Sequence, residues 1–394
     1  MEIVRRILDD VKEKGDSAVL AYSKKFDGAF EKDFEITEGQ VKAAFHQADP
    51  AALKALKTAA LNITRFSKLQ AAQLKSFSVT KKGCTIGQKV IPLARVGCYV
   101  PGGRYPLPSS ALMSIIPAKA AGVREIIACS PNINPVTIAA ASLAGATRIF
   151  SIGGAQAIGA MAYGTKTVPK VDKIVGPGNR FVAAAKKEVY GVVGIDFIAG
   201  PTELLIIADS TANPGLIAAD LLAQAEHDSE ARVFLATDSR KLADEVNLEL
   251  ERQLRSLATN PVAGASLRHG NIVIVNNLHQ AASLANEIAP EHVELQVKNP
   301  DDISPALRNY GSLFIGMSAA EVFGDYCAGI NHILPTGGSS RYTGGLSVRD
   351  FVKIVTFMDC QEKATREMVD TAITLARIEG LEGHRKAAEL RGRR

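Results

Sequence analysis

The sequence predicts an α/β protein built on largely parallel sheets. Three observations carry that expectation. From about residue 89, short β-branched runs alternate with Ala-rich helical stretches, the texture of layered βα units. Gly and Pro cluster at the ends of those runs, where strand-to-helix turns need them. The chain has 394 residues, 46% apolar and 22% charged, enough for two or three domains with sizeable cores and no staples.

Each element follows from its local pattern. Ile3, Val4, Ile7, Leu8 and Val11 stand at helical spacing, and Gly15-Asp16-Ser17 starts a second helix through Tyr22. Residues 38–76 predict two more helices, rich in Ala, Leu and Lys. Strands are predicted at Val96–Val100, Glu125–Cys129, Arg148–Ile152, Lys173–Val175, Leu204–Ala208, Arg232–Ala236, Asn271–Val275 and Ser312–Ile315. Helical patterns fill 109–121, 135–145, 179–189 and 214–227 between them. From about 346 the chain is expected to turn helical, through Ala364–Arg377 to a charged end.

Composition excludes several classes. No apolar stretch approaches a membrane span, and Met1-Glu2-Ile3-Val4-Arg5-Arg6 carries no apolar leader core. A net charge of +5 with no Trp gives no nucleic-acid surface. Cys84, Cys98, Cys129, Cys327 and Cys360 are odd in number, scattered and without a CxxC pair, so all five are expected reduced, as in a cytoplasmic protein.

Pro101-Gly102-Gly103, Gly153-Gly154 and Gly176-Pro177-Gly178-Asn179 each follow a predicted strand, and Gly200-Pro201-Thr202 precedes the one at 204. Ligands of open α/β sheets bind beyond the carboxyl ends of strands, where glycine lets backbone approach and a helix N-terminus favours phosphate. Three of these turns are therefore candidate nucleotide-binding edges. No GxGxxG with a downstream acid is present, and the glycines also serve simply to tighten turns.

Four groups of residues carry chemistry. Gln224 and His227 are three apart late in an amphipathic helix, so they share a face as half a metal site, or cap the helix end. Glu291 and His292, after Pro290, read as a helix start whose two neighbours serve different protons, or as exposed polar residues. Asp325 and His332 lie in a glycine-flanked loop as candidate metal carboxylate and substrate or metal ligand. Glu379 and His384 sit where Gly380 and Gly383 interrupt a helix. Two His, one Asp and one Gln meet the ligand count of a catalytic zinc site, and oxygen-rich ligation also suits Mn.

These motifs in this order resemble the histidinol dehydrogenase family. The match is nearly full-length, from Gly15-Asp16 and Lys25-Phe26-Asp27-Gly28 through VGCYVPGG, GGAQAI, VPKVDKIVGPGN, AGPTE, LLAQAEHD, APEH, GDYCAGINHILPT and EGLEGH. The resemblance implies two Rossmann-like, aldehyde-dehydrogenase-like α/β/α domains, one inserted in the other, plus a helical C-terminal tail. Residues 1–101 and 202–346 would form the first, 102–201 the inserted one, and 347–394 the tail. It implies oxidation of L-histidinol through L-histidinal to L-histidine with two NAD and one Zn per subunit, in a homodimer with a shared site. Gln224, His227, Asp325 and the partner's tail residue His384 match the zinc ligands. Glu291 and His292 match the acid–base pair. Thr202, His332 and Glu379 match substrate contacts, as do Gln224, His227, His292, Asp325 and His384. Tyr99, Gln156 and Asn179 match NAD contacts. Zinc would fix the amino alcohol through two nitrogens, His292 would take the alcohol proton, and Glu291 would activate the water that enters before the second oxidation. Cys98 and Cys327 are expected to be structural.

Two departures stand out. The chain begins close to the Gly15-Asp16 helix, with an expected effect on the dimer interface, and Thr202 stands where Ser is more usual. The other functions open to such a chain are a family paralogue oxidising another small alcohol or diol, and a catalytically silent binding protein on the same fold.

Overall fold

The computed structural model describes residues 2–28, 33–102 and 106–392. Gly103 of the first glycine turn lies outside them.

Four helices lead: α1 (Glu2–Lys14), α2 (Asp16–Phe26), α3 (Glu38–Gln47) and α4 (Pro50–Gln73). Val4, Ile7, Leu8 and Val11 form the buried stripe of α1. The Thr37 and Asp49 side chains accept backbone N–H groups to start α3 and α4. The antiparallel hairpin β1 (Phe77–Lys81) and β2 (Cys84–Pro92) follows. It turns at Lys82-Gly83, where φ is 52° and 82°, the left-handed pair a tight hairpin requires.

The first parallel sheet then forms from β3 (Arg95–Tyr99), α5 (Pro108–Ala121), β4 (Glu125–Cys129), α6 (Pro135–Ala144), β5 (Arg148–Phe150), α7 (Gly154–Tyr163), β6 (Lys173–Val175), α8 (Arg180–Val189) and β7 (Gly194–Ile195). Its strand order is β5-β4-β3-β6-β7. Helices α1, α7 and α8 pack together on one side, and α3, α4, α5 and α6 on the other.

The second is built from β8 (Glu203–Ala208), α9 (Pro214–Ala225), β9 (Arg232–Thr237), α10 (Arg240–Ser256), α11 (Asn260–Ser266), β10 (Asn271–Ile274), α12 (Leu278–Ile288), β11 (His292–Gln296), α13 (Pro300–Ile303) and β12 (Ser312–Ile315). Its order, β10-β9-β8-β11-β12, repeats that of the first sheet. Each sheet therefore reverses direction of winding beside its first strand, which makes a crevice at that point. A short helix α14 (Glu321–Tyr326) closes this half. The chain ends in β13 (Val352–Cys360), α15 (Glu362–Ile378) and α16 (Glu382–Gly392).

Three expectations change. The boundary expected at 101/102 separates β3 from its sheet, yet β3 hydrogen-bonds β4 and β6. The strands group as 95–195 and 203–315, with the leading helices on the first sheet, because parallel pairing joins β3 to the strands that follow it. The region after 346 is not helical throughout: β13 returns to pair antiparallel with β2 in a three-stranded sheet. Its partner lies more than 260 residues earlier, so no local pattern reveals it. The same register sets Cys360 opposite Cys84, and the two form a disulfide; Cys98, Cys129 and Cys327 are free thiols. Among the described residues no helix is long and apolar enough to cross a membrane.

Candidate active site

Strands β8 and β11 run side by side in parallel, with His292 level with Leu204. Residues at their amino ends therefore converge: Thr202 and Glu203 from one, Glu291 and His292 from the other. This edge is opposite to the carboxyl edge that the glycine turns after β3, β5 and β6 mark. Glu291-His292 is also not a helix start. Residues 292–296 read His-Val-Glu-Leu-Gln, and all five are buried in the middle of the sheet. Val293 and Leu295 enter the apolar core, while His292, Glu294 and Gln296 point the other way, as a period of two demands. Gln296 Nε2 donates to Glu294 Oε2 at 2.9 Å and to Asp220 Oδ2 at 3.1 Å, so this polar stripe is internally bonded.

The Thr202 hydroxyl bridges Glu291 Oε2 and the side-chain amide of Gln224. Glu203 N–H donates to the same carboxylate oxygen at 3.2 Å. Burial pushes the Glu291 carboxyl up to about 8, against these hydrogen bonds. Burial also pushes His292 down to about 4, so its imidazole is neutral near pH 7. Both His292 ring nitrogens are buried without a hydrogen-bond partner. Carboxylates surround them just out of reach: Nδ1 is 3.9 Å from Glu291 Oε2 and 3.9 Å from Glu321 Oε1, and Nε2 is 3.9 Å from Asp325 Oδ1. A buried imidazole with both nitrogens unpaired is an arrangement that asks for a guest.

Gln224 is fully buried in the last turn of α9. With its oxygen toward Thr202, its amide nitrogen donates to Glu321 Oε2 at 2.6 Å. His227 lies just past the helix end, its Nε2 4.0 Å from Asp325 Oδ2. Asp325 is on helix α14 rather than in a glycine-flanked loop, and Glu321 is one turn earlier on that helix. Donor atoms of His227, Glu321 and Asp325 all lie within 4.8 Å of one another. An imidazole nitrogen and two carboxylates at that spacing fit a divalent cation of the zinc class. Sequence reading missed Glu321. The available signal was its i, i+4 relation to Asp325, which puts both carboxylates on one face.

His332 is oriented rather than free: Nδ1 lies 2.9 Å from the Asp325 carbonyl oxygen and Nε2 3.3 Å from Ser110 Oγ. Ser110 is in the first turn of α5, so this contact ties the second sheet's cluster to the first sheet's helices. Glu379 ends α15 and His384 begins α16. Both are exposed on a tail whose two helices pack on each other, and neither is bonded to the cluster of its own subunit among the described contacts.

The expected cofactor residues do meet. Tyr99, Gln156 and Asn179 line one cavity of about 450 Å³ beyond the carboxyl ends of β3 and β4. Tyr99 Oη accepts the Gly154 N–H at 3.1 Å. Asn179 Oδ1 accepts from Phe181 and Val182 N–H at 3.0 and 3.2 Å, capping α8. The turn before it is fixed by Gly176, whose φ is 113°; a Cβ there would stand 2.1 Å from the Tyr99 carbonyl oxygen. Lys186, buried on α8, donates to Gly176 O at 2.9 Å and pairs with Asp196, which accepts the Gly176 N–H at 2.8 Å. Cys98, under this edge, is held up at about 12 by burial, so it stays an inert thiol.

Two repeats of doubly wound sheet, with a polar cluster at the strand edges of the second, define the aldehyde-dehydrogenase-like fold. An acetylating aldehyde dehydrogenase from Geobacillus thermoglucosidasius shares that fold, with TM-score 0.50 and 13% identity over 91% of this chain and 97% of its own. The family model described as histidinol dehydrogenase matches residues 1–392. A histidinol dehydrogenase of Bacillus thuringiensis subsp. konkukian is 48% identical over 393 residues, 98% of this chain and 91% of the relative. The crystal structure of histidinol dehydrogenase from Elizabethkingia anophelis superposes with TM-score 0.94 at 36% identity, covering 99% of this chain and 91% of that one. The chain belongs to the histidinol dehydrogenase family.

Proposed function

We propose that the protein oxidises L-histidinol to L-histidine through the aldehyde, using two NAD, one bound zinc ion and a site shared within a homodimer. The observation that carries this reading is the convergence of His227, Asp325, Glu321 and Gln224 on a buried His292 whose two nitrogens have no partner. In a chain of this family, that is where an imidazole-bearing amino alcohol is to be held.

Gln224, His227 and Asp325 would hold the metal, with His384 of a second copy. The bound ion would supply Lewis acidity and a template for the substrate's nitrogens. The chain's own residues supply the rest. His292, neutral near pH 7, would accept the alcohol proton at a ring nitrogen, and NAD when bound would supply the hydride acceptor. Glu291 stands beside it, buried and hydrogen-bonded to Thr202; burial raises it to about 8, so the fraction ionised, growing as pH rises through that value, would take a proton from the water that adds to the aldehyde. Thr202 keeps the hydroxyl that this network needs. Glu321 fixes the amide of Gln224, so its contribution is to orient a ligand.

Replacing His227 by alanine is expected to lower bound metal by at least about tenfold in affinity. Metal analysis of the purified protein after dialysis reads this, and full retention would remove His227 from the ligand set.

The dimer is supported by exposed apolar side chains on the three-stranded sheet and the tail, among them Ile86, Met358, Leu375, Ile378 and Leu390. Such rows cost little when a second copy covers them. A complementation experiment tests the shared site. His384→Ala and His292→Asn homodimers are each expected to be inactive, while co-refolded mixtures regain activity from hybrid dimers. No recovery in the mixture would place His384 in its own subunit's site or outside any.

A further inference from the structure

We infer that Asn331 is a positioning residue for substrate binding: it seats the segment that carries His332 on a carbonyl that Pro117 leaves without its helical donor in α5. The inference rests on the reading that L-histidinol is the substrate and that His332 meets it.

Helix α5 holds a proline in its interior, Pro117. In a regular helix the N–H of residue 117 donates to the carbonyl of residue 113, and proline has no N–H to give. The Met113 carbonyl therefore lacks its regular donor, in a residue with no exposed surface. A buried carbonyl in that state needs a donor from elsewhere. Asn331 Nδ2, 218 positions later in the chain, donates to it at 2.7 Å. Its Oδ1 accepts the Ile333 N–H at 2.8 Å, so the amide is committed at both ends and its partners fix its orientation.

Both neighbours of His332 are thus anchored in the first half of the molecule. Asn331 sits on α5, and the Ile333 side chain is buried in the core cluster that α4 and α5 build. Further back, Asn62 Nδ2 of α4 donates to the Cys327 carbonyl at 2.8 Å. Gly329, with φ of 101°, passes so close that a Cβ would stand 2.7 Å from the Asn62 carbonyl oxygen. Residues 327–338 form no helix or strand, so these contacts set their path. Ser110, one turn before Met113 on the same face of α5, meets His332 Nε2 at 3.3 Å. The Asp325 carbonyl holds the other ring nitrogen at 2.9 Å. One helix face of the first half places a ring that stands beside the polar cluster of the second.

The test compares Asn331→Asp, Asn331→Ala, His332→Gln and each Asn331 change combined with His332→Gln. Steady-state oxidation, calorimetric titration with L-histidinol, melting midpoint and zinc content are measured for each. Asn331→Asp keeps the size and the acceptor and removes the donor; Asn331→Ala removes both without adding charge. Each single Asn331 variant is expected to raise KM for L-histidinol about tenfold, with kcat within about threefold of wild type and with zinc content and KM for NAD unchanged. His332→Gln is expected to raise the same KM at least about tenfold, and each Asn331 change then adds less than about twofold, because the two residues act as one unit. Full additivity, or a KM for L-histidinol that moves in neither Asn331 variant, overturns the inference. So does a variant that melts earlier and weakens L-histidinol, NAD and zinc alike, the pattern of a merely structural residue. A wild-type KM in His332→Gln removes the premise about His332 and the inference with it, while the oxidation stands. Wild-type protein that neither binds nor oxidises L-histidinol overturns the proposed function as well.

Discussion

The His292→Asn variant is expected to turn over L-histidinol about 100- to 10,000-fold more slowly than wild type, the range lost with a general base. Bound metal should remain at the wild-type level. Both expectations follow from position. His292 is the first residue of β11, which lies between β8 and β12, and is nearly inaccessible, and its ring nitrogens touch no hydrogen-bond partner in the protein. It therefore contributes little to holding the cluster together, and much to whatever enters it. Asparagine keeps a polar group of smaller size there, which limits the packing loss. Stopped-flow measurement of NADH formation, with metal content on the same sample, separates the two effects. A variant with wild-type kcat would reject the assigned role. A variant that also loses metal would make His292 a ligand instead.

The second large effect is on folding. Lys186→Met is expected to destabilise the protein by ~3–5 kcal/mol, because it leaves Asp196 as an unpaired buried charge. The side chains of Lys186 and Asp196 are only 3% and 1% exposed, so solvent screens neither. The pair also clamps both sides of the Gly176 peptide, from which the cofactor turn departs. Lys186→Met combined with Asp196→Leu should recover most of the loss, since a well-packed apolar pair removes the desolvation cost of both charges. Urea denaturation midpoints of the single and double variants read this. A single variant as stable as wild type would show that Asp196 finds another partner or becomes protonated at little cost.

Much of the fold was legible because the strands of both parallel sheets are short β-branched runs set between Ala-rich helices. Every strand read from the sequence is present, within a residue or two at its ends. What escaped did so for identifiable reasons. Strand β11 carries three polar residues on one face, so hydrophobic runs do not announce it, although its strict alternation would have. Strands β2 and β13 meet across most of the chain, and with them the Cys84–Cys360 pair, because sequence distance hides an antiparallel register. The 101/102 boundary, carried over from the resemblance, falls between β3 and the strands it pairs with, a pairing that no local pattern shows.

The site was legible to a different degree. Gln224, His227, Glu291, His292 and Asp325 are brought together from three separate motifs, each weak alone. Their partners Glu321 and Glu294 were missed, since a lone Glu in a helix or strand reads as solvent-facing until the structure shows it buried.

The most direct test of the central claim is the stoichiometry of NADH formed per L-histidinol consumed by the zinc-loaded protein, with L-histidine measured in the same reaction. Two NADH and one L-histidine per substrate are predicted, with no accumulated aldehyde. Absence of NADH from L-histidinol, while the protein still binds zinc and NAD, would contradict the account and leave a binding protein or an oxidoreductase for another alcohol.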